Sequence, residues 1–279
     1  KMDSLKLKPV FEILKMIGLE EMPPLLVDSN YESKPRINWL AVAAKAKKLL
    51  SIDLLVGFSL LPPVFDDKNI ISLGPAVQTS FVPGYLYEEN DGNVLARMAK
   101  QINKVVGNAT NEGRKSQTEL LLDYRKAILS YMYNTSAEEV DRPAGESIRL
   151  EDTIHQILTA IENETVAYIS INTLQNLTDI WSSGTSTANW TEYFSILLED
   201  LDGINISGNV NVLVSPKYFK DLVSTMSRTP KQTIELLLWL TLLDSVASHG
   251  NLELRRIAEK HAKLSRDIEI TVSRFELLL

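Results

Sequence analysis

Cysteine is absent from all 279 residues of the chain, and histidine is scarce, with three residues. Without cysteine there is no disulfide, no thiolate nucleophile and no thiolate metal site, and a reducing compartment is slightly favoured. The histidines, His155, His249 and His261, stand far apart, and none pairs with another at the local spacing of a zinc site. We therefore predict no metal or cofactor site, and expect a partly exposed helix residue at 155, a helix-end residue at 249 and a surface residue at 261.

Recognisable catalytic motifs are absent as well. The stretch GNATNEG has neither the lysine nor the following apolar helix start of a phosphate-binding loop, and no Gly-x-Ser-x-Gly elbow occurs. Two carboxylate pairs, Asp66-Asp67 and Glu138-Glu139, lie at a turn and at a helix start, which are ordinary structural positions. We predict that this chain by itself has no catalytic residues.

Charge and apolar runs argue against two kinds of partner. The 29 Lys and Arg residues stand against 36 Asp and Glu residues, and the net charge of -7 disfavours nucleic acid, whose phosphates need a basic surface. The longest apolar stretches, Ile52–Val64 and Ile234–Val246, fall short of the roughly 20 residues that span a bilayer. We expect no nucleic-acid partner and no transmembrane segment in this chain. Because it starts Lys-Met-Asp without a leader, we expect that a signal or anchor was removed or that the chain is a fragment.

Glycosylation sequons of the form Asn-x-Ser/Thr are dense. Residue frequencies would give about two in a chain of this length. The glycan needs an exposed site in a protein of the secretory pathway, so the cluster predicts a secreted or cell-surface glycoprotein and outweighs the missing cysteines. The six candidate sites are Asn108, Asn134, Asn163, Asn176, Asn189 and Asn205.

Apolar periodicity predicts a mainly α fold: a multi-helix body with a few short β-strands in the first third. We predict a single largely helical domain over residues 1–279, with a β-prone section at about 52–87 and a helical section at about 93–279. Pro143-Ala-Gly145 is expected to break the helical pattern, and the polar loop Ser182–Ala188 is the best internal linker candidate. The predicted helices are Leu5–Ile17, Asn38–Leu50, Asn93–Val106, Ser116–Tyr133, Ser147–Ser170, Trp190–Leu201 and Leu252 to about Ser265.

The C-terminal third carries two successive helix starts. Ser215 is expected to cap a helix that has Pro216 at its first position, where the missing N–H costs nothing. Thr229-Pro230 repeats the arrangement, with Gln232 where a capping box wants Glu or Gln, and Ser136 and Glu139 form a similar box upstream. The second helix is apolar nearly all round from Ile234 to Leu243, which is typical of a buried helix. Before it, VNVLV fits a strand or an extended link.

Long stretches of this sequence resemble one known family. The longest stretch has an Asn-Trp at a helix start, a Val-rich link, a helix with an early proline, and Trp239 leading to Asp244-Ser-Val246. It reads ANWTEYFSILLEDLDGINISGNVNVLVSPKYFKDLVSTMSRTPKQTIELLLWLTLLDSV. Three further matches lie upstream: INWLAVAAKAKKLLSIDLLVGF, the DDKN turn at Asp66–Asn69, and TELLLDYRKAILSYM. Together these stretches resemble the N-terminal region of the neprilysin-like (M13) zinc metallopeptidases.

The resemblance implies a mostly helical lid domain that faces the catalytic domain of the same protein across a large cavity, with Thr229–Ser248 as a buried strut. It also implies a secreted or membrane-anchored ectodomain. The family's His-Glu-x-x-His, Glu-x-x-x-Asp and Asn-Ala-Tyr/Phe motifs are absent, and the stretch Ser80–Tyr87 is a reduced form of a longer family motif. No catalytic, cofactor or metal residue is therefore carried over, and zinc is expected only in the parent protein.

Three hypotheses remain open at this point. In the first, the chain is the non-catalytic lid of an active metalloendopeptidase and restricts peptide access to a catalytic domain not present here. The apolar finish at Arg274–Leu279 favours this fragment hypothesis. In the second, it is a catalytically inactive secreted relative that binds a peptide or protein. In the third, it is an unrelated helical extracellular interaction module.

Overall fold

The computed structural model describes residues 7–19, 22–26, 31, 34–61, 70–76, 117–160, 166–184, 188–199 and 210–261. Over these residues the chain is mainly helical with one small sheet, as predicted. The elements in chain order are α1 (Lys8–Ile17), α2 (Trp39–Leu50), β1 (Val56–Leu61), β2 (Ile70–Pro75), α3 (Gln117–Tyr133), α4 (Ala137–Thr159), β3 (Ala167–Ser170), α5 (Ile171–Trp181), α6 (Trp190–Leu198), β4 (Asn211–Val214), α7 (Pro216–Arg228), α8 (Lys231–Gly250) and α9 (252–261).

The chain divides into two compact units. The first comprises Lys1–Leu7, Ser80–Ile148 and Asp244–Leu279, and the second comprises Lys8–Thr79 and Arg149–Leu243. The boundaries between them fall before Lys8, after Thr79, inside α4 and inside α8. The linker candidate Ser182–Ala188 lies within the range of the second unit. The prediction of one largely helical domain over residues 1–279 stays a prediction.

The sheet belongs to the second unit and has the strand order β1-β2-β4-β3. β1 pairs antiparallel with β2 from Val56 opposite Pro75 to Leu61 opposite Ile70. β2 then pairs in parallel with β4, and β4 pairs antiparallel with β3. The strands predicted in the first third are confirmed by β1 and β2, and the strand option for VNVLV is confirmed by β4.

The predicted helix Ser147–Ser170, with a break before it, is wrong at both ends. Helix α4 begins earlier, at Ala137, runs through Pro143 and ends at Thr159, and Ala167–Ser170 is a strand. A proline inside a helix costs about 3 kcal/mol, but Val140 and Ala144 on the same helix are fully buried, and their burial offsets the cost. The strand forms because its backbone pairs with β4, which is distant in sequence.

Two predicted helix ends are confirmed in detail. Gly18 adopts φ +98° after α1, and Leu19 N donates to Leu14 O at 2.9 Å, which closes the last turn. At the start of α2, the Asn38 side chain accepts from Ala41 N at 3.2 Å.

The three capping predictions need correction. Pro216 opens α7 as expected, but Ser215 makes no capping hydrogen bond with its side chain. Ser136 accepts from Glu139 N at 3.4 Å, whereas the Glu139 carboxylate accepts from the Thr135 hydroxyl and not from the Ser136 backbone. Gln232 forms no capping box because its amide donates to backbone carbonyls of the segment 22–26.

The core of the second unit contains α8 and a group of aromatic side chains. Every residue from 236 to 243 is buried, which confirms the prediction for this apolar helix. Trp239 meets Phe11 of α1 edge-on, with ring centroids 5.8 Å apart. Five further aromatic side chains, which belong to α6 and α7, are almost fully buried: Trp190, Tyr193, Phe194, Tyr218 and Phe219.

Several predictions fall outside the described residues: the helix Asn93–Val106, the turn with Asp66-Asp67, and the stretch Ser80–Tyr87. Within the described ranges, no helix has the length and hydropathy needed to cross a membrane.

Candidate functional site

The described residues do not fit a zinc ion. No group of three or more His, Cys, Asp or Glu side chains in these ranges could hold a metal. His155 is half-buried on α4, as predicted, and the side chain of His249 lies outside the described part of the chain. His261 is not a plain surface residue: it is half-buried and stacks on the ring of Tyr124, with ring centroids 4.4 Å apart.

The carboxylate pair Glu138-Glu139 has the structural position that we predicted. Both side chains are exposed in the first turn of α4, where a negative charge is favourable beside the helix N-terminus. Neither carboxylate is buried, as the carboxyl group of a general acid usually is.

A buried polar cluster, which we name the Tyr124 cluster, lies in the first unit and consists of Tyr124, Arg125, Asp244 and His261. The Tyr124 hydroxyl donates to Asp244 Oδ1 at 2.7 Å. Arg125 Nη1 lies 3.8 Å from Asp244 Oδ2, and both side chains are fully buried. This N–O distance is too long for a hydrogen bond, so the attraction between the two groups is electrostatic.

Burial sets the protonation of this cluster. It raises the pKa of Tyr124 well above the usual range, and the negative charge of Asp244 raises it further, so the hydroxyl stays a hydrogen-bond donor. Burial also lowers the pKa of His261, and the nearby positive charge of Arg125 adds to the effect. The cluster thus joins α3, α8 and α9 from within.

A second polar group holds the start of α8 in the second unit. Lys231, which is 8% exposed, donates through Nζ to the carbonyl oxygens of Tyr31 at 2.5 Å and Lys34 at 3.0 Å. Its ammonium also lies 4.1 Å from the centre of the Tyr31 ring. The Tyr31 hydroxyl donates to Glu235, and Gln232 donates to the carbonyl of Leu25 at 3.0 Å. We give the name strap to the described residues that these side chains hold, which are residues 22–26, 31 and 34–36.

Sequence reasoning missed both polar groups. One signal for the strap was available: a lysine at the first position of a helix is unfavourable beside the positive end of the helix dipole, so Lys231 needs an acceptor elsewhere. No comparable signal marks Arg125, because its partner Asp244 is far away in sequence.

Of the six candidate glycosylation sites, Asn134, Asn176 and Asn189 fall within the described residues, and all three are exposed. Asn134 is in the turn after α3 with φ +50°. Asn176 lies on α5, and Asn189 caps α6 by accepting from Glu192 N at 3.0 Å. The glycan would attach to a side-chain nitrogen, so the capping oxygen of Asn189 stays free for its role. The remaining sites, Asn108, Asn163 and Asn205, lie outside the described residues.

The comparisons with known proteins identify the family. The model of the N-terminal part of peptidase family M13 matches residues 1–270. The chain belongs to peptidase family M13. The resemblance seen in the sequence is thereby confirmed, and the M13 family is one of metallopeptidases. The comparison with curated proteins gave no match.

Among solved structures, the chain is similar to an M13 enzyme, the zinc metalloprotease Zmp1 of Mycobacterium tuberculosis, which was solved in complex with an inhibitor. The TM-score is 0.58 at 10% sequence identity, and the match covers 93% of this chain and 33% of that chain. At this identity the likeness concerns the fold. The chain thus spans about a third of the length of that M13 neighbour.

Proposed function

We propose that the chain is the non-catalytic helical lid region of a neprilysin-like zinc metalloendopeptidase. In this proposal it restricts peptide access to a catalytic domain of the same parent protein, and that domain holds the zinc. The observation that carries the proposal is the match of the family's N-terminal model to residues 1–270. The lack of a candidate metal cluster in the described ranges is consistent with a part of the protein that does not perform the chemistry.

The internal construction supports an access-limiting role, because a barrier to large substrates has to keep its shape. In the second unit, the strap is held to the start of α8 by Lys231, Gln232 and Glu235. In the first unit, the Tyr124 cluster ties α3 to α8 and α9. A hydrogen bond inside the protein is stronger than in water, so these buried bonds fix the positions of the segments that they join.

The same proposal includes a secreted or cell-surface location and N-glycans. Its support is the density of sequons and the exposure of the three described acceptors, Asn134, Asn176 and Asn189. A bulky glycan is compatible with the folded protein only at an exposed position.

The test uses the native protein that contains this chain, purified from its source. Hydrolysis is measured for a series of peptides of increasing length and for a folded protein, with and without a zinc chelator. We expect chelator-sensitive hydrolysis of short peptides that declines with length and fails for the folded protein. Hydrolysis that is independent of substrate size would overturn the access-limiting role.

A second candidate function is an inactive secreted glycoprotein that binds a peptide or protein. The missing cysteines and the reduced stretch Ser80–Tyr87 favour it, since M13 ectodomains are usually cross-linked. In the same assay this candidate predicts no hydrolysis at any length, with or without added zinc. Peptidase activity of the 279-residue chain alone would contradict both candidates.

A further inference from the structure

Helix α9 contacts α3 at both ends of its described part, within the first unit. At its start, Asn251 caps the helix by accepting from Leu254 N at 3.0 Å, and Asn251 itself accepts from the Tyr131 hydroxyl at 3.3 Å. At its other described end, His261 stacks on Tyr124, which lies two helical turns before Tyr131. Between them, Leu254 is 1% exposed.

The surroundings of His261 suit a neutral imidazole and not a charged one. Its Nε2 is buried and has no hydrogen-bond partner in the part of the chain that the structure describes. From α3 it meets the Tyr124 ring and the positive charge of Arg125. On α8, the carboxylate of the Tyr124 cluster is Asp244, and the Tyr124 hydroxyl and Arg125 already offset its charge.

On α9 itself, the residues one turn before His261 are Ile257 and Ala258, and neither can stabilise an imidazolium. A proton on the buried Nε2 of His261 would therefore place a second positive charge beside Arg125, and no hydrogen-bond acceptor among the described residues compensates it.

We propose that His261 makes the attachment of α9 to α3 sensitive to acid, because protonation of its imidazole beside Arg125 releases the helix. The sign follows from linkage. The pKa of His261 is lowered in the attached state, so the detached state takes up the proton first as the pH falls. Attachment is fully stable above the ordinary histidine pKa of about 6.5 and is lost as the pH falls below it.

The absence of cysteine gives a direct test, because a single introduced thiol can be labelled without background. Leu254→Cys reports opening of the buried face, and Leu252→Cys, on the same helix at 44% exposure, is the matched exposed control. The ratio of the two labelling rates gives the protection of residue 254 and cancels the effect of pH on the thiol. Both variants are also made with His261→Phe, which keeps an aromatic ring against Tyr124 and cannot titrate.

We expect the protection to be constant above about pH 6.5 and to fall below it by up to about tenfold per pH unit. With His261→Phe it should stay flat. Protection that is independent of pH, or that falls equally in the His261→Phe background, would overturn the proposal. If Leu254→Cys lowers the helical circular dichroism signal, a proton NMR titration of the unmodified chain decides instead. A His261 resonance that titrates at or above pH 6.5 then rejects the proposal, and one that titrates below it supports the proposal.

Discussion

The indole nitrogen of Trp190 donates to the hydroxyl of Thr178 at 2.8 Å, and both groups are buried. The same hydroxyl donates to Leu174 O at 2.8 Å. Thr178 is also the third residue of the Asn176 sequon. The Thr178 side chain thus belongs both to a candidate glycosylation signal and to the core. Substitution of Asn176 and substitution of Thr178 both remove the sequon, but they should affect stability differently.

The Asn176 sequon should be removed at the asparagine. Asn176→Gln at this exposed position should change the free energy of unfolding by less than about 0.5 kcal/mol. Thr178→Val should cost about 1–3 kcal/mol, because it leaves the Trp190 N–H buried without an acceptor. Thr178→Ser, which keeps the hydroxyl and the sequon, is the control in urea unfolding. Equal stability of Asn176→Gln and Thr178→Val would contradict the structure here.

Two glycines that face each other across the β1–β2 pair should respond differently to alanine. Gly57 pairs with Gly74, but a Cβ on Gly57 would lie 2.4 Å from the Pro75 carbonyl oxygen, whereas a Cβ on Gly74 would meet nothing within 4 Å. A backbone carbonyl cannot move aside, so Gly57→Ala should cost about 1–3 kcal/mol of unfolding free energy. Gly74→Ala should change it by less than about 0.5 kcal/mol. Urea unfolding compares the pair, and similar losses would show the β1–β2 register to be wrong.

Three buried tyrosines predict a loss of stability at alkaline pH. Burial raises the pKa of Tyr124, Tyr193 and Tyr218 above the usual range, with the charges of Asp244 and Asp53 adding to the effect at the first two. Above about pH 10 the unfolded chain loses these protons and the folded chain keeps them. The unfolding free energy should then fall with rising pH by up to about 1.4 kcal/mol per unit for each tyrosine.

Tyrosinate absorbance measured during an alkaline titration checks this. The absorbance step of the buried tyrosines should coincide with the loss of the helical circular dichroism signal. Tyr168→Phe, at a position 58% exposed, serves as the control and should leave this coincident step unchanged. Full ionisation of all nine tyrosines before any loss of helix would refute the burial described.

The strap should depend on Lys231. Lys231→Met removes two hydrogen bonds from a charged donor, to Tyr31 O and Lys34 O, and should lower the unfolding free energy by about 2–3 kcal/mol. The relief of an unfavourable charge at the helix N-terminus offsets less than about 1 kcal/mol of this. Lys220→Met, at an exposed position of α7, is the matched control and should have little effect. Equal effects of the two substitutions in thermal unfolding would contradict the role of Lys231.

The sequence predicts what local patterns determine. The 3.6-residue period predicts α1, α2 and α6, and the apolar residues all round α8 predict its burial. Strand β3 was missed because its pairing partner β4 lies some 40 residues further along the chain.

The continuation of α4 through Pro143 was missed for a related reason. The local cost of the proline is visible in the sequence, whereas the burial of Val140 and Ala144 that offsets it is not. Family membership could be predicted from scattered aromatic and apolar positions in the sequence. The Tyr124 cluster could not be predicted, because its members come from three helices that are separate in sequence.

The proposal that this chain is the lid part of a longer M13 metallopeptidase is tested by the intact mass and peptide map of the native protein from its source, after enzymatic removal of glycans. The account predicts peptides of this chain in one polypeptide with a segment that bears His-Glu-x-x-His. A deglycosylated mass near the 31.3 kDa of these 279 residues, with no such segment, would contradict it.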